Sequence, residues 1–146
     1  FLLEGMMEVI GDKVAAGTIK IVGEAFSDGW KPENAQKNME QILTANGNDV
    51  DAVLAQNDGM AGGVVAALSA QGLVIPVGGR DGDLAAINCV ARGSQTVSVW
   101  KDARQLGKAA GEIASALAEG TALDAVAGAS KFSGGEKGVE MNAILL

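Results

Sequence analysis

Apolar residues recur along this chain in two alternating periods. Leu3, Met7, Ile10 and Val14 follow one another at spacings of 4, 3 and 4, the stripe of an amphipathic helix. Gly17 stops that pattern, and Ile19-Lys20-Ile21-Val22-Gly23 reads as a short buried strand. Ser27-Asp28-Gly29-Trp30-Lys31 is loop chemistry, and Pro32 suits the first position of a second helix, with Ala35, Met39, Ile42 and Leu43 on one face. Asn46-Gly47-Asn48 breaks it. Asp51-Ala52-Val53-Leu54-Ala55 is the next predicted strand, followed by a helix that aligns Met60, Val64, Ala67, Leu68 and Gln71 and ends at Gly72.

The alternation continues. Val74-Ile75-Pro76-Val77-Gly78 predicts a strand, with Pro76 tolerated at an edge or a strand start. Asp83 can cap a short helix holding Leu84, Ile87 and Ala91, stopped by Gly93. Gln95-Thr96-Val97-Ser98-Val99-Trp100 alternates strongly and is the plainest strand of the chain. Asp102, with Gln105 three residues on, resembles a capping box for a helix that aligns Leu106, Ala110, Ile113 and Leu117. Beyond Gly120 the signal decays into small residues and Ser133-Gly134-Gly135. Strand and helix thus alternate four times across short loops, which predicts an α/β fold: a parallel sheet with helices on both faces. No linker marks a second domain, so residues 1–146 are read as one unit. There is no initiator Met and no signal-peptide pattern; the chain starts inside a helix and reads as a fragment.

Composition removes whole classes of chemistry. The 146 residues are one domain's worth, and 48 % of them are apolar. Eleven basic and 18 acidic residues leave a net charge of −7, which argues against a nucleic-acid surface. Histidine is absent, and with it Ser-His and Cys-His catalysis and His-metal sites. The lone Cys89 excludes an internal disulfide and a Cys-based zinc site. No apolar run approaches the roughly 20 residues of a membrane span. Neither a phosphate loop nor a dinucleotide fingerprint follows a strand, because Gly78-Gly79-Arg80-Asp81-Gly82 lacks the spacing. Ser94, Ser98 and Ser130 have no visible activating base. No cofactor, no metal and no catalytic residue is expected.

Open parallel sheets bind ligands beyond the carboxyl ends of their strands. Trp30, Asn57-Asp58, Arg80-Asp81 and Lys101 follow the four predicted strands, and each precedes a helix. One indole, one amide, one carboxylate and one ammonium suit a neutral polyhydroxyl ligand. Sugar hydroxyls both donate and accept, so they can give to Asp81, receive from Lys101 and do both with Asn57. An indole offers a flat face to the C–H side of a pyranose. Charge-assisted bonds are worth about 1.5–3 kcal/mol each, so three or four of them with one stack reach the roughly 8 kcal/mol of micromolar binding. Plainer roles stand beside these. Asp58, Asp83 and Asp102 occupy helix-cap positions, Trp30 can be a partly buried anchor, and Asp81 with Lys101 can form a simple ion pair. Trp100 reads as core or hinge packing and Cys89 as a small buried hydrophobe.

The same residues carry a resemblance. Lys20-Ile21-Val22-Gly23-Glu24, Asp28-Gly29-Trp30-Lys31-Pro32-Glu33-Asn34-Ala35, Gln56-Asn57-Asp58, Gly79-Arg80-Asp81-Gly82-Asp83 and Trp100-Lys101 look like the C-terminal lobe of bacterial D-xylose-binding proteins, type I periplasmic binding proteins of ABC sugar importers. It covers about positions 1–120, and the tail weakly. The Asn-Asp pair and the Gly-x-Asp turn are shared by many sugar-binding relatives. The run from Asp28 to Ala35, with Lys101 after the fourth strand, points to xylose more narrowly. The resemblance implies a Rossmann-like lobe, a periplasmic location, a monosaccharide ligand, and an ABC permease as partner of the full two-lobe protein. It implies that Trp30 stacks on the sugar while Asn57, Asp81 and Lys101 hydrogen-bond its hydroxyls. Alternatives within the same fold are a sugar-sensing domain of a signalling system and the effector lobe of a sugar-responsive repressor. Three departures stand out: a shorter loop at Leu73-Val74-Ile75, the bulky Arg80 beside the binding carboxylate, and the absence of the second lobe and of this lobe's opening strand. The chain alone is therefore expected to bind sugar very weakly and to carry an unpaired sheet edge or an exposed apolar patch that invites dimerisation.

Overall fold

The computed structural model describes residues 2–122 and, in backbone only, three short strands beyond them. Residues 1–100 with 145–146 form one compact unit, and residues 101–144 form another. The sequence pattern at residues 133–135 lies outside the described residues.

In the first unit the predicted helices all form. Helix α1 spans Leu2–Ala15, and Met7, Ile10 and Val14 are half-buried while Leu3 is exposed. Helix α2 spans Pro32–Ala45 with Pro32 at its first turn, and buries Ala35, Met39 and Leu43 at spacings of one turn. Helix α3 (Asp58–Ala70) buries Ala61, Val64, Ala67 and Leu68, and helix α4 spans Leu84–Ala91. Strands β1 (Val53–Leu54), β2 (Val77–Asp81) and β3 (Val97–Trp100) pair in parallel in that order. Strand β6 (Ile144–Leu145) comes next after β3.

The core lies between β2, α3 and α2: Met39, Leu43, Ala61, Val64, Ala67, Leu68 and Val77 cluster there, with Val50, Val53 and Ile75 at its margin. Each large member stabilises the fold by about 1.5–3 kcal/mol on burial. Small residues set the spacing. A methyl group built on Gly63 would overlap the Pro32 carbonyl oxygen and lie 2.9 Å from its carbon, so the start of α2 touches the second turn of α3 backbone to backbone.

Four expectations about strands change, the last being that Gln95 and Thr96 fall outside the fourth predicted strand, which forms as Val97–Trp100. Ile19–Gly23 is not a strand; residues 20–27 carry no regular secondary structure. A strand needs a neighbour for its ladder, and among the described residues β1 has only β2. The segment lies along α2 instead: Asn46 Nδ2 donates to the Val22 carbonyl at 3.1 Å, Asn38 Nδ2 donates to that of Phe26 at 3.2 Å, and Gly23 faces Ile42. The second strand shortens to Val53–Leu54, and Leu54 at the sheet margin is 54 % exposed. The third shifts from residues 74–78 to Val77–Asp81, which puts Pro76 just before the strand, where its carbonyl still accepts from Val53 N at 2.9 Å. Cys89 is half-buried, not fully buried as a core hydrophobe would be.

In the second unit, helix α5 spans Ala103–Ala118 and buries none of its residues fully. Asp102 caps it as predicted, accepting from Arg104 N at 3.0 Å and from the guanidinium at 3.0 and 3.1 Å. That side-chain hydrogen bond, foremost, holds the Asp102 carboxyl below the ordinary Asp range. Strands β4 (Ala129–Lys131) and β5 (Lys137–Val139) pair antiparallel. No helix among the described residues is long and apolar enough to cross a membrane.

Candidate functional site

Trp30 ends a one-turn 3-10 helix, Asp28–Trp30, in which Gly29 and Trp30 both have positive φ, 63° and 58°. Such a conformation costs a non-glycine residue about 1–3 kcal/mol unless its surroundings hold it. Here they do. Trp30 N donates to Ser27 O at 3.0 Å, Asn34 Nδ2 to Asp28 O at 2.8 Å, and Asn38 Nδ2 to Ser27 Oγ at 3.1 Å. Asparagines one turn apart on α2 therefore shape the loop, and the indole it presents is 43 % exposed.

Asn57 is the N-cap of α3. Its extended backbone lets Oδ1 accept from Met60 N at 2.8 Å, satisfying an otherwise orphaned helix amide. The cap occupies the oxygen and leaves the Nδ2 hydrogens to donate. The cap assignment for Asp58 is therefore corrected: Asn57 does that work, and Asp58 is the first residue inside the helix.

Asp58 is 4 % exposed and fully engaged. Its Oδ2 accepts from Gly82 N and Asp83 N, both at 2.9 Å, and from Ser98 Oγ at 2.6 Å. Its Oδ1 accepts from Gln95 Nε2 at 3.2 Å. Burying a carboxylate this deeply is tolerated because four donors replace its water. Gly79 makes room, since a Cβ there would run into Asp58 Oδ1 and lie 2.6 Å from Gln95 Nε2. Nothing in the sequence reading gave Asp58, Gln95 or Ser98 this part. The available signal was Ser98, a polar residue at an inward position of an otherwise apolar alternation.

Asp81 closes β2 opposite Trp100 of β3, with a positive φ of 117°. The next residue, Gly82 (φ 78°), packs under the Trp100 ring, so Trp100 covers the turn, in keeping with the packing role expected of it. Arg80 answers its own puzzle as a neighbour: its Nε lies 3.4 Å from Asp81 Oδ1, with both side chains about three-quarters buried. Asp83 occupies the N-cap position of α4, but no side-chain cap bond is made there.

The first unit thus gathers three of the four sequence-predicted residues at one end. Trp30 and Asn57 stand two residues before Pro32 and Gly59, which touch at the start of α2 and α3 (3.6 Å from a built Gly59 Cβ to Pro32 Cγ). Asp81 is joined to the same place through the bonds from Gly82 and Asp83 to Asp58. All three lie at the carboxyl ends of parallel strands or the amino ends of the following helices, where such sheets bind ligands. Lys101 directly follows β3 and belongs to the second unit. A shallow hollow of about 460 Å³ opens beside these helix starts, lined by Pro32, Gln36, Gly59, Gly63, Asp83 and Ala86 among others.

Comparison with known proteins bears on the family and the fold. Residues 1–122 match the model of a periplasmic binding protein domain. The chain is 50 % identical over 118 residues to the D-xylose-binding periplasmic protein of Escherichia coli (strain K12), covering 80 % of this chain and 36 % of that protein. It is 46 % identical over 124 residues to the D-xylose-binding periplasmic protein of Haemophilus influenzae, covering 84 % and 37 %. It therefore spans just over a third of the length of these relatives. Among solved structures, an ABC transporter solute-binding protein from Clostridium phytofermentans with bound β-D-glucose superposes with a TM-score of 0.79 at 28 % identity, over 97 % of this chain and 48 % of that one. The arabinose ABC transporter's binding protein from Shewanella sp. ANA-3, bound to L-arabinofuranose, gives 0.72 at 27 % identity, over 82 % and 39 %. The α/β fold expected from the alternation is that of these solute-binding proteins, and the two D-xylose-binding relatives are periplasmic proteins. With its family model spanning most of its length, this chain belongs to the periplasmic binding protein domain family.

Proposed function

We propose that this chain is one lobe of a two-lobe binding protein that takes up a monosaccharide, D-xylose, for an ABC importer, and that it performs no catalysis. What supports the reading is that Trp30, Asn57 and Asp81 stand at helix starts or a strand end on one end of the first unit. In this reading Trp30 covers the apolar C–H face of the sugar. Asn57 donates through Nδ2, because its oxygen is committed to Met60 N. Asp81 accepts from sugar hydroxyls, with Arg80 Nε 3.4 Å from its Oδ1. The two D-xylose-binding relatives favour the pentose, and the solute-binding proteins among the structural neighbours favour uptake over sensing or repression.

One lobe supplies half the contacts and leaves the ligand open to water. Tight binding comes when a second lobe closes over the sugar, a shift of population driven by the ligand. Isothermal titration with D-xylose tests this on the full-length protein and on residues 1–146 alone. Expected are saturable binding by the former and no detectable heat of binding by the latter. Micromolar binding by the 146-residue chain refutes the half-site argument, and failure of the full-length protein to bind any monosaccharide refutes the sugar assignment.

A further inference from the structure

The buried Asp58 is larger in consequence than a packing residue. It accepts four hydrogen bonds from three separate stretches of chain: the β2–α4 turn (Gly82 and Asp83 amides), strand β3 (Ser98 Oγ) and the segment before it (Gln95 Nε2). Two of those donors are the backbone amides that immediately follow Asp81. A residue at φ 117° stays there only when its surroundings determine the geometry, and the groups fixing this turn are the Asp58 carboxylate and the Ser98 hydroxyl, which also accepts from Gly82 N at 3.1 Å. Ser98 and Gln95, at 0 % and 2 % exposed, are in turn locked by packing. Asp83 makes no side-chain cap bond for α4, so the start of that helix is tied down from α3 instead.

We infer that Asp58 is a positioning residue for the sugar site: it never touches ligand, and it holds the Gly82-Asp83 amides so that the Asp81 carboxylate points at the hydroxyls it binds. This inference rests on the proposed sugar-binding reading. It also explains why Asn57 and Asp58 stand side by side, the first facing ligand from the helix cap and the second facing inward to fix the neighbouring loop. Asparagine cannot replace Asp58, because both carboxylate oxygens accept. Whichever way an amide is turned, its NH2 faces another donor.

A double-mutant cycle on D-xylose affinity in the full-length protein tests it, with unfolding midpoints measured in parallel. Asp58→Asn is expected to weaken binding about tenfold, and Ser98→Ala about threefold. In an Asp81→Asn background each loss is expected to shrink to within about twofold, while the effect on unfolding stays as large as before. A merely structural role would lower the midpoint without coupling to Asp81, so additive losses in affinity overturn the inference. Should Asp58→Asn fail to fold, Ser98→Ala in the two backgrounds gives the same comparison. If Asp81→Asn alone leaves affinity unchanged, the sugar-site reading itself falls and takes the positioning role with it. That outcome is seen before Asp58 is altered.

Discussion

Gly62 and Gly63 are neighbours on α3, and replacing each by alanine should move stability in opposite directions. In an exposed helix interior, glycine costs about 0.5–1 kcal/mol relative to alanine, through the backbone freedom it loses on folding. Gly62 is exposed, and a Cβ built there meets nothing within 4 Å, so Gly62→Ala should stabilise by about that amount. Gly63 gains the same helix propensity but faces α2. Its added methyl would overlap the Pro32 carbonyl oxygen and lie 3.0 Å from Gln36 N. Those are backbone atoms of a helix start, not the end of a side chain that can swing away. Relief requires α2 to shift as a body, which loosens Met39 and Leu43 against Val64 and Leu68. Overpacking of this kind costs about 1–3 kcal/mol, and a rigid obstacle argues for the upper end. Subtracting the propensity gain leaves Gly63→Ala about 2 kcal/mol less stable than the parent, and about 3 kcal/mol below Gly62→Ala. Urea unfolding followed by far-ultraviolet circular dichroism reads both changes as shifts in midpoint at unchanged slope. If Gly63→Ala proves as stable as Gly62→Ala, α2 and α3 do not cross where the backbone contact places them.

Two other substitutions separate roles that share a residue. Asn57→Ser keeps a cap oxygen for Met60 N but loses the amide donors, so it should leave stability nearly unchanged while weakening sugar binding in the full-length protein; Asn57→Ala should in addition cost about 1 kcal/mol of stability. Equal unfolding midpoints for the two variants would show that the cap contributes nothing. The Asp102 carboxyl should titrate below the ordinary Asp value because of its hydrogen bond from Arg104. Its contribution to the start of α5 is thus present above the unfolded-state pKa and lost as pH falls through the lowered one. Carbon-detected NMR titration checks this, and Arg104→Ala should bring the value back up; an unshifted Asp102 in the parent chain refutes the capping geometry.

The order of elements was legible in the sequence because helix periodicity is a local property. Ala35, Met39 and Leu43 recur one turn apart, and Val64, Ala67 and Leu68 mark the facing stripe, so α2 and α3 could be placed before any contact was known. Pro32 and the Asn46-Gly47-Asn48 turn bounded α2 for equally local reasons. The candidate site residues could be picked out one at a time, since each follows a predicted strand, and the family resemblance suggested the common purpose proposed for them.

Strands were another matter, because a strand exists only in partnership. Ile19–Gly23 has the composition of one and lies unpaired along α2, and β2 begins at Val77 because it is the stretch from there to Asp81 that finds Val53–Leu54 on one side and Val97–Trp100 on the other. The same holds for Asp58. Its sequence position says helix cap, and a cap needs only residues within one turn. Its actual duty depends on Gly82, Gln95 and Ser98, which lie 24 to 40 positions away. Local periodicity therefore determined which segments are helices and in what order they come. Pairing register and the burial of one carboxylate, both set by distant chain, were decided only when the tertiary structure brought those segments together.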